Sequence, residues 1–240
     1  MNKDFLEYIT VIIPAAGQGK RMGKGVNKQY LKINNKPIIV HTIEKFINSG
    51  LINDIIVVIS KEEIEYFKKE IIQKYNLSKN LNIVEGGKER QESVYNGLKN
   101  ISSKTDIVLI HDGARPFVSI EEIKKSIEGA KQYGSCVIAV KVKDTIKVSD
   151  EDGYIKNTPN RENLWSVQTP QAFKKHIIIK AYNKAEQDNF LGTDDAMLVE
   201  RIGQKVKIIE GKYDNIKITT PHDLYIGEII IKSRKQNNNN

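Results

Sequence analysis

Short runs of β-branched residues alternate with amphipathic stretches from Tyr8 to Val142, and this alternation restricts the fold more than any other feature of the chain. Tyr8–Ile13 is such a run, closed by Pro14, and reads as a buried strand. Ile55–Ile59, Leu81–Val84, Ile107–Ile110 and Val137–Val142 read the same way. Between them lie helical spacings at Pro37–Asn48, Glu62–Lys74, Arg90–Asn100 and Ile120–Gln132. In the first of these Ile39, Ile43, Phe46 and Ile47 fall on one face, Pro37 suits a first turn and Gly50 a stop. Strands that alternate with helices pair side by side and need both faces covered. The expected class is therefore α/β, with a mostly parallel twisted sheet and helices on both its faces.

The rest of the chain is less regular. Asp144–Asn157 is polar, Ile146 and Val148 alternate with Lys147 and Ser149, and Asp150-Glu151-Asp152-Gly153 reads as a turn. This is a hairpin too exposed for the main core, and we expect a protruding β-arm over 143–160. Such an arm leaves apolar side chains and strand edges in water unless a partner covers them, so a homodimer built through it is the preferred reading over a flexible loop. Helices near His176–Gln187 and Asp195–Ile202, a strand at Val206–Glu210 and a last helix from Pro221 complete the chain. There is no internal repeat or linker, so one domain is expected over 1–232, and the Asn-rich 233–240 stretch reads as a disordered tail.

The net charge of +8 favours anionic ligands such as nucleotides, phosphates or nucleic acid, although a Lys-rich composition alone accounts for it equally well. The single cysteine, Cys136, excludes an intramolecular disulfide and a Cys-based metal site, and its apolar neighbours mark it as buried filler. The first ten residues carry Lys3, Asp4 and Glu7, and no run of about 18 apolar residues occurs, so no membrane association and a cytoplasmic location are expected.

Three loops at the ends of expected strands carry the chemistry. The first is Pro14-Ala15-Ala16-Gly17-Gln18-Gly19-Lys20-Arg21-Met22-Gly23. Its small residues permit close backbone approach, and its amides can cradle phosphates. It is not a dinucleotide fingerprint, because position 22 is Met22, nor a Walker loop, because Arg21 follows Lys20 where Ser or Thr is required. Its distinction is its cations: Lys20, Arg21 and, just beyond, Lys28 can surround a triphosphate. The second loop, Gly86–Ser93, offers glycines that let the chain lie against a flat base; Ser93 suits either a base contact or a helix cap. The third, His111-Asp112-Gly113-Ala114-Arg115-Pro116, sits where open α/β sheets bind ligands. Asp112 suits a ribose hydroxyl or a metal-bound water, and Arg115 a phosphate, with a turn-stabilising Asp–Arg pair as the alternative. His111 should point away from Asp112, since strand neighbours alternate faces, and reads as structural. Thr145, Arg161, Thr169, Thr193, Asp194, Asp214 and Lys217 are further polar candidates. Taken singly, each is an ordinary surface or capping residue, and Thr193-Asp194-Asp195 in particular suits a helix N-cap.

Taken together, nine segments in order from position 12 to 217 resemble the 2-C-methyl-D-erythritol 4-phosphate cytidylyltransferase family. They are Ile12–Met22, Asn27–Tyr30, Gly86–Ser93, His111–Pro116, Lys143–Thr145, Asn160–Trp165, Gln168–Phe173, Thr193–Ala196 and Asp214–Lys217. The resemblance implies a Rossmann-like, nucleotidyltransferase-type sheet whose arm interlocks with a second subunit. It implies that Ala15, Ala16, Gly17, Gly87 and Ser93 hold the cytidine and triphosphate of CTP, with Asp112 and Gly113 near the ribose. Arg21 and Lys28 would stabilise charge at the α-phosphate; Arg161 and Lys217 would position the substrate phosphate. Arg115, Thr145, Thr169, Thr193 and Asp214 would complete that site, Thr145 and Arg161 coming from the partner subunit. Mg²⁺ or another divalent cation would be carried mainly by the CTP phosphates, with Asp112 nearby. Two positions depart from common family patterns: Lys88 stands where an acidic or small polar residue is frequent, and Gly113 where Ala is also common.

Both reactants are anions, so their approach costs Coulomb energy that cations must offset. The attacking phosphate is already ionised near neutral pH, so no general base is needed and no catalytic His is expected. A ribitol-5-phosphate cytidylyltransferase is the nearest rival, sharing the chemistry on a longer polyol; Pro14–Gly17 and Arg161–Trp165 favour the methylerythritol enzyme. A basic nucleic-acid-binding protein is a rival of another class, but the lysines are dispersed and no base-stacking motif or recognition helix is present. A catalytically silent sugar-nucleotide-binding protein is a third, against which the presence of both Arg21 and Lys28 argues.

Overall fold

A computed structural model describes residues 7–17, 27–77 and 80–237. In chain order the elements are β1 (Ile9–Pro14), the short pair β2 (Lys32–Ile33) and β3 (Lys36–Pro37), α1 (Ile38–Ser49), β4 (Asp54–Ile59) and α2 (Ile64–Tyr66). α2 continues into a π-helical stretch, Phe67–Gln73. Then come β5 (Leu81–Glu85), α3 (Arg90–Lys99), β6 (Ile107–Ile110), α4 (Ile120–Tyr133), β7 (Ser135–Lys141), the arm strands β8 (Val148–Ser149) and β9 (Ile155–Asn157), and β10 (Trp165–Lys174). The chain ends with α5 (Lys175–Gln187), α6 (Asp195–Arg201), β11 (Lys207–Glu210) and α7 (Pro221–Asn237).

Seven strands form the main sheet in the order β11-β7-β10-β6-β1-β4-β5. β1 pairs in parallel with β4 and β6, β4 with β5, and β7 with β11. β10 runs antiparallel between β6 and β7. The central strands are apolar on both faces because both are covered. Val11, Ile13, Ile55, Val57 and Leu109 pack with Ile39, Ile43 and Phe46 of α1 and Ile123 and Ile127 of α4. Ile12, Ile56, Val58, Val108 and Ile110 pack with Val94 and Leu98 of α3, Ile178 and Tyr182 of α5 and Leu198 and Val199 of α6. Fully burying one such side chain contributes about 1.5–3 kcal/mol. Cys136 lies in the first of these cores, fully buried, and burial pushes its thiol up to about 12.

The expected strands and helices occur within a residue or two of their reading. β10, which the sequence reading left without a strand, is the main addition. Its run contains Gln168, Thr169, Pro170 and Gln171, and a proline inside an apolar run argues against a central strand. Buried side-chain hydrogen bonds compensate: Gln171 Nε2 donates to Asp194 Oδ2 (2.8 Å), and Gln171 Oε1 accepts from Ala196 N (2.9 Å). The ladder to β7 shifts register between Val167 and Gln171, which accommodates the irregular centre. At the C-terminus, α7 runs to Asn237, past the expected boundary at 232, because Arg234 bonds Asp214 Oδ2 (2.6 Å) and Phe117 O (2.8 Å).

Residues 143–158 are all exposed, and within them β8 and β9 pair antiparallel as the expected hairpin. Tyr154 is 73% and Ile155 65% exposed, which places large apolar surfaces in solvent. Among the described residues no helix is long and apolar enough to cross a membrane.

Candidate active site

The chain leaves β1 toward β4 and β5 on one side and later returns through β6 on the other. This reversal opens a crevice at the carboxyl end of β1, where open α/β sheets take ligands. A cavity of about 220 Å³ occupies it, lined by Pro14–Gly17, Lys28, Gln29, Gly87–Arg90, Ser93, Asp112–Ala114 and Lys217. A neighbouring cavity of about 170 Å³ is lined by Arg90, Asp112, Arg115, Val167–Thr169, Gln171, Thr193, Asp194 and Lys217. Arg90, Asp112 and Lys217 belong to both and form the wall between them.

The floor of the first cavity is backbone held at close range. Ala15 N donates to Val58 O (2.7 Å), extending the strand pairing by one bond. A Cβ at Gly86 would lie 2.4 Å from Ala16 Cβ, so only glycine fits there. Of the two roles open to Ser93, the helix-directed one is seen: its hydroxyl accepts from Gly87 N (3.0 Å) and donates to Glu89 O (3.0 Å), tying the Gly86–Gly87 turn to the first turn of α3. Lys88 N donates to Glu92 Oε2 (2.8 Å).

The wall is an ionic cluster centred on the buried Asp112. Lys217 Nζ approaches Asp112 Oδ2 at 2.8 Å and Arg115 Nε the same oxygen at 3.5 Å, while Arg90 Nε donates to Oδ1 at 3.2 Å. Burial alone would raise the Asp112 carboxyl, but Arg90, Lys217 and Arg115 outweigh it and hold the group well below the usual carboxylate range. Arg90 is itself anchored on the fully buried Asp195 by a two-pronged contact, Nη1–Oδ1 3.1 Å and Nη2–Oδ2 2.7 Å, and Tyr182 Oη donates to the same carboxylate at 2.5 Å. Burial opposes the Arg90 charge; Asp195 and Asp112 overcome it and raise its pKa further.

Thr169 joins this cluster to the sheet. Its Oγ1 accepts from Asp112 N (3.1 Å) and meets His111 Nδ1 (3.0 Å), and its carbonyl accepts from Asn215 Nδ2 (2.9 Å). His111 Nε2 lies 3.0 Å from Arg115 O, so both ring nitrogens are engaged inside the protein. Burial lowers the imidazole to about 4, which makes it a neutral structural group, as its place in the sequence suggested.

The structure thus gathers Ala15, Ala16, Gly17, Lys28, Gly87, Ser93, Asp112, Gly113 and Lys217 around one cavity, and Arg115, Thr169 and Thr193 around its neighbour. Arg21, with Lys20, lies outside the described residues. Thr145 and Arg161 are exposed, line neither cavity, and Arg161 Nη1 donates to Lys143 O (2.7 Å). Asp214 also lines neither; its Oδ2 is held by Arg234. Asp194 caps α6 by accepting from Met197 N (2.9 Å), so the capping reading of this segment holds for Asp194. Sequence reasoning missed Arg90 and Asp195. A cation at the first residue of a helix opposes the macrodipole, and that placement was the available signal that Arg90 needs anionic partners. A larger hollow of about 890 Å³ lies against α5, at the amino end of β6, but it holds none of the candidate residues. Three of its basic residues are engaged within the protein: Lys175 with Ser102 O and Ser103 O, and Lys184 and Arg201 with Asp188.

Residues 9–233 match the model of the IspD family, 2-C-methyl-D-erythritol 4-phosphate cytidylyltransferase. The chain belongs to this family. A 2-C-methyl-D-erythritol 4-phosphate cytidylyltransferase of Alkaliphilus oremlandii is 52% identical over 227 residues, covering 95% of this chain and 96% of the relative. That of Clostridioides difficile is 52% identical, covering 95% of each. Among solved structures, 4-diphosphocytidyl-2C-methyl-D-erythritol synthase from Anaerococcus prevotii superposes with a TM-score of 0.83 at 35% identity, covering 95% of this chain and 99% of that one. The Thermus thermophilus 2-C-methyl-D-erythritol 4-phosphate cytidylyltransferase gives 0.78 at 29% identity, covering 94% and 99%. The IspD fold therefore extends over the sheet, the crevice and the cluster around Asp112.

Proposed function

We propose that this chain transfers the cytidylyl group of CTP to 2-C-methyl-D-erythritol 4-phosphate, giving 4-diphosphocytidyl-2-C-methyl-D-erythritol and pyrophosphate. The observation that carries the reading is the pair of adjoining cavities sharing Arg90, Asp112 and Lys217, in a chain that matches the IspD family over 9–233. CTP takes the cavity of Ala15–Gly17, Gly87 and Ser93, with its ribose toward Asp112 and Gly113. The polyol phosphate takes the cavity of Arg115, Thr169 and Thr193. Its phosphate oxygen attacks the α-phosphorus, one P–O bond forms, and the bond to the departing pyrophosphate breaks on the opposite side. Lys28 and Arg21 stabilise the charge gathering at the α-phosphate, and Lys217 and Arg115 the attacking phosphate. Arg90, held by Asp195, remains on Asp112 when Lys217 turns toward a phosphate, so the buried carboxylate keeps a counter-ion throughout. No residue need take a proton, which accords with a His111 whose two nitrogens are already engaged.

A divalent cation, if carried in by the nucleotide, would neutralise part of the triphosphate charge. Protein ligands for it fit poorly. Asp112, the carboxylate common to both cavities, already has three cationic neighbours, and among the described residues no cluster of three His, Cys, Asp or Glu is placed to hold a metal. Asp214 stays in this reading as the anchor of Arg234.

The active unit is a homodimer. The open side of the polyol cavity would be closed by Thr145 and Arg161 of the partner subunit, carried on an arm whose Tyr154 and Ile155 otherwise stand in water.

Pyrophosphate release measured with CTP, ATP, GTP and UTP against methylerythritol and ribitol phosphates tests the activity. Release confined to CTP with methylerythritol phosphate is expected. Equal or faster turnover of ribitol 5-phosphate would transfer the chain to the rival reading.

A further inference from the structure

The residue on which Lys28 depends lies in another element. Lys28 opens a single turn of 3-10 helix, Lys28–Tyr30, closed by Tyr30 N to Asn27 O (2.9 Å) and Leu31 N to Lys28 O (3.2 Å). Its two chain neighbours both reach toward one carboxylate, that of Glu63, in the turn after β4. Asn27 Nδ2 donates to Glu63 Oε1, and Gln29 Nε2 lies 3.5 Å from Glu63 Oε2. Gln29 Nε2 also donates to Ala15 O (2.7 Å), the floor of the nucleotide cavity, and Gln29 is buried. Glu63 is fixed in turn: its Oε2 accepts from Ser60 Oγ (2.6 Å), and its N donates to Ser60 O (3.0 Å). Ser60 directly follows β4, which is paired on both sides, with β1 and with β5. The carboxylate therefore refers the backbone on both sides of Lys28 to the sheet's own frame. The need for such a clamp is physical. The turn has no helix of its own length to hold it, and the long lysine side chain amplifies any shift of its Cα at the phosphate end.

We infer that Glu63 is a positioning residue for the cytidylyl-transfer step, acting by clamping Asn27 and Gln29 so that Lys28 meets the α-phosphate. The inference rests on the role proposed above for Lys28. Glu63 does not line the nucleotide cavity. Its removal should thus slow the step that Lys28 serves and leave nucleotide binding largely alone.

Steady-state pyrophosphate release by the full-length protein, with thermal midpoints recorded alongside, tests this in Lys28→Ala, Glu63→Ala, Glu63→Gln and the Lys28→Ala/Glu63→Ala double variant. Misplacing a catalytic group by about 1 Å can cost 10²-fold, so Glu63→Ala is expected to lower kcat by about tenfold or more while KM for CTP moves less than about threefold. Glu63→Gln keeps one acceptor oxygen and the side-chain volume, and should recover part of the loss. The double variant should be no slower than Lys28→Ala alone, because a clamp has nothing to position once the lysine is gone. Slow turnover in Lys28→Ala with normal kcat in Glu63→Ala would overturn the clamp and leave the Lys28 assignment standing. Fully multiplicative losses in the double variant would do the same, by showing that Glu63 acts independently of Lys28. Normal turnover in Lys28→Ala would overturn the Lys28 assignment and the clamp with it.

Discussion

Three cations meet one buried carboxylate at Asp112, and this arrangement sets the local electrostatics of the site. Removing one partner of a buried ionic group typically costs about 3–5 kcal/mol, because the remaining charges are left uncompensated. Asp112→Asn keeps the side-chain shape but leaves Arg90, Arg115 and Lys217 facing one another. Chemical denaturation should register a loss of that order, moderated where Asp195 still neutralises Arg90. Since Asp112 is depressed when folded, its contribution is complete above the unfolded value near 4 and is lost progressively as pH falls from there through the much lower folded value. Acid sensitivity between about pH 4 and 6.5 must therefore come from elsewhere. His111 supplies it: the unfolded chain takes up a proton near 6.5 while the buried ring resists until about 4, so stability falls as pH drops through that window. Each such group contributes at most about 1.4 kcal/mol per pH unit. His41, also lowered by burial, adds in the same direction. Urea midpoints measured at several pH values should show a shallower acid slope in His111→Asn, and an unaltered slope would remove His111 from this role. Asp112, Gly87 and Lys217 were legible at this scale because they sit in short distinctive segments. Arg90 was not, because its partners are 22 and 105 residues away and local spacing carries no trace of them.

Among the elements, α3 shows how packing and site geometry are joined. It starts at Arg90, which holds the ionic wall, and crosses β1 at Gly97, where an added Cβ would lie 2.7 Å from Ile12 Cγ2. Overpacking of this kind costs about 1–3 kcal/mol. Gly97→Ala should therefore lower the denaturation midpoint and, by tilting α3, weaken nucleotide binding as well; a variant of normal stability would show that Ile12 yields freely. The strands flanking the crevice were readable because continuous β-branched runs have few alternatives to a doubly covered sheet. β10 escaped the same reading because three of its buried positions, Gln168, Thr169 and Gln171, are polar and Pro170 interrupts them. Gln168, Thr169 and Gln171 are satisfied by Lys212 O, Asp112 N and Asp194, partners that exist only once the chain is folded. Those are also the residues that build the second cavity, so the least strand-like strand is the one committed to the site.

At the scale of the molecule, the arm and the body answer different needs. The body buries two cores on either side of one sheet, whereas the arm from 143 to 158 is exposed throughout. Replacing residues 148–155 by a short Gly-Ser turn should leave the thermal midpoint of the body nearly unchanged and convert a dimer to a monomer in light scattering. In the proposed dimer, turnover should then collapse, because Arg161 of the partner subunit would no longer reach the second cavity. A shortened protein that remained dimeric and active would reassign the arm to solvent. In the proposed reaction the wall between the two cavities brings two anions together. Lys217→Ala tests it most directly, in steady-state pyrophosphate release from CTP with methylerythritol phosphate as the varied substrate. A fall in kcat/KM of about 10²-fold or more is expected, as for one well-placed charge at a phosphoryl-transfer centre, with the fold retained by circular dichroism. Turnover equal to that of the unaltered protein would contradict it.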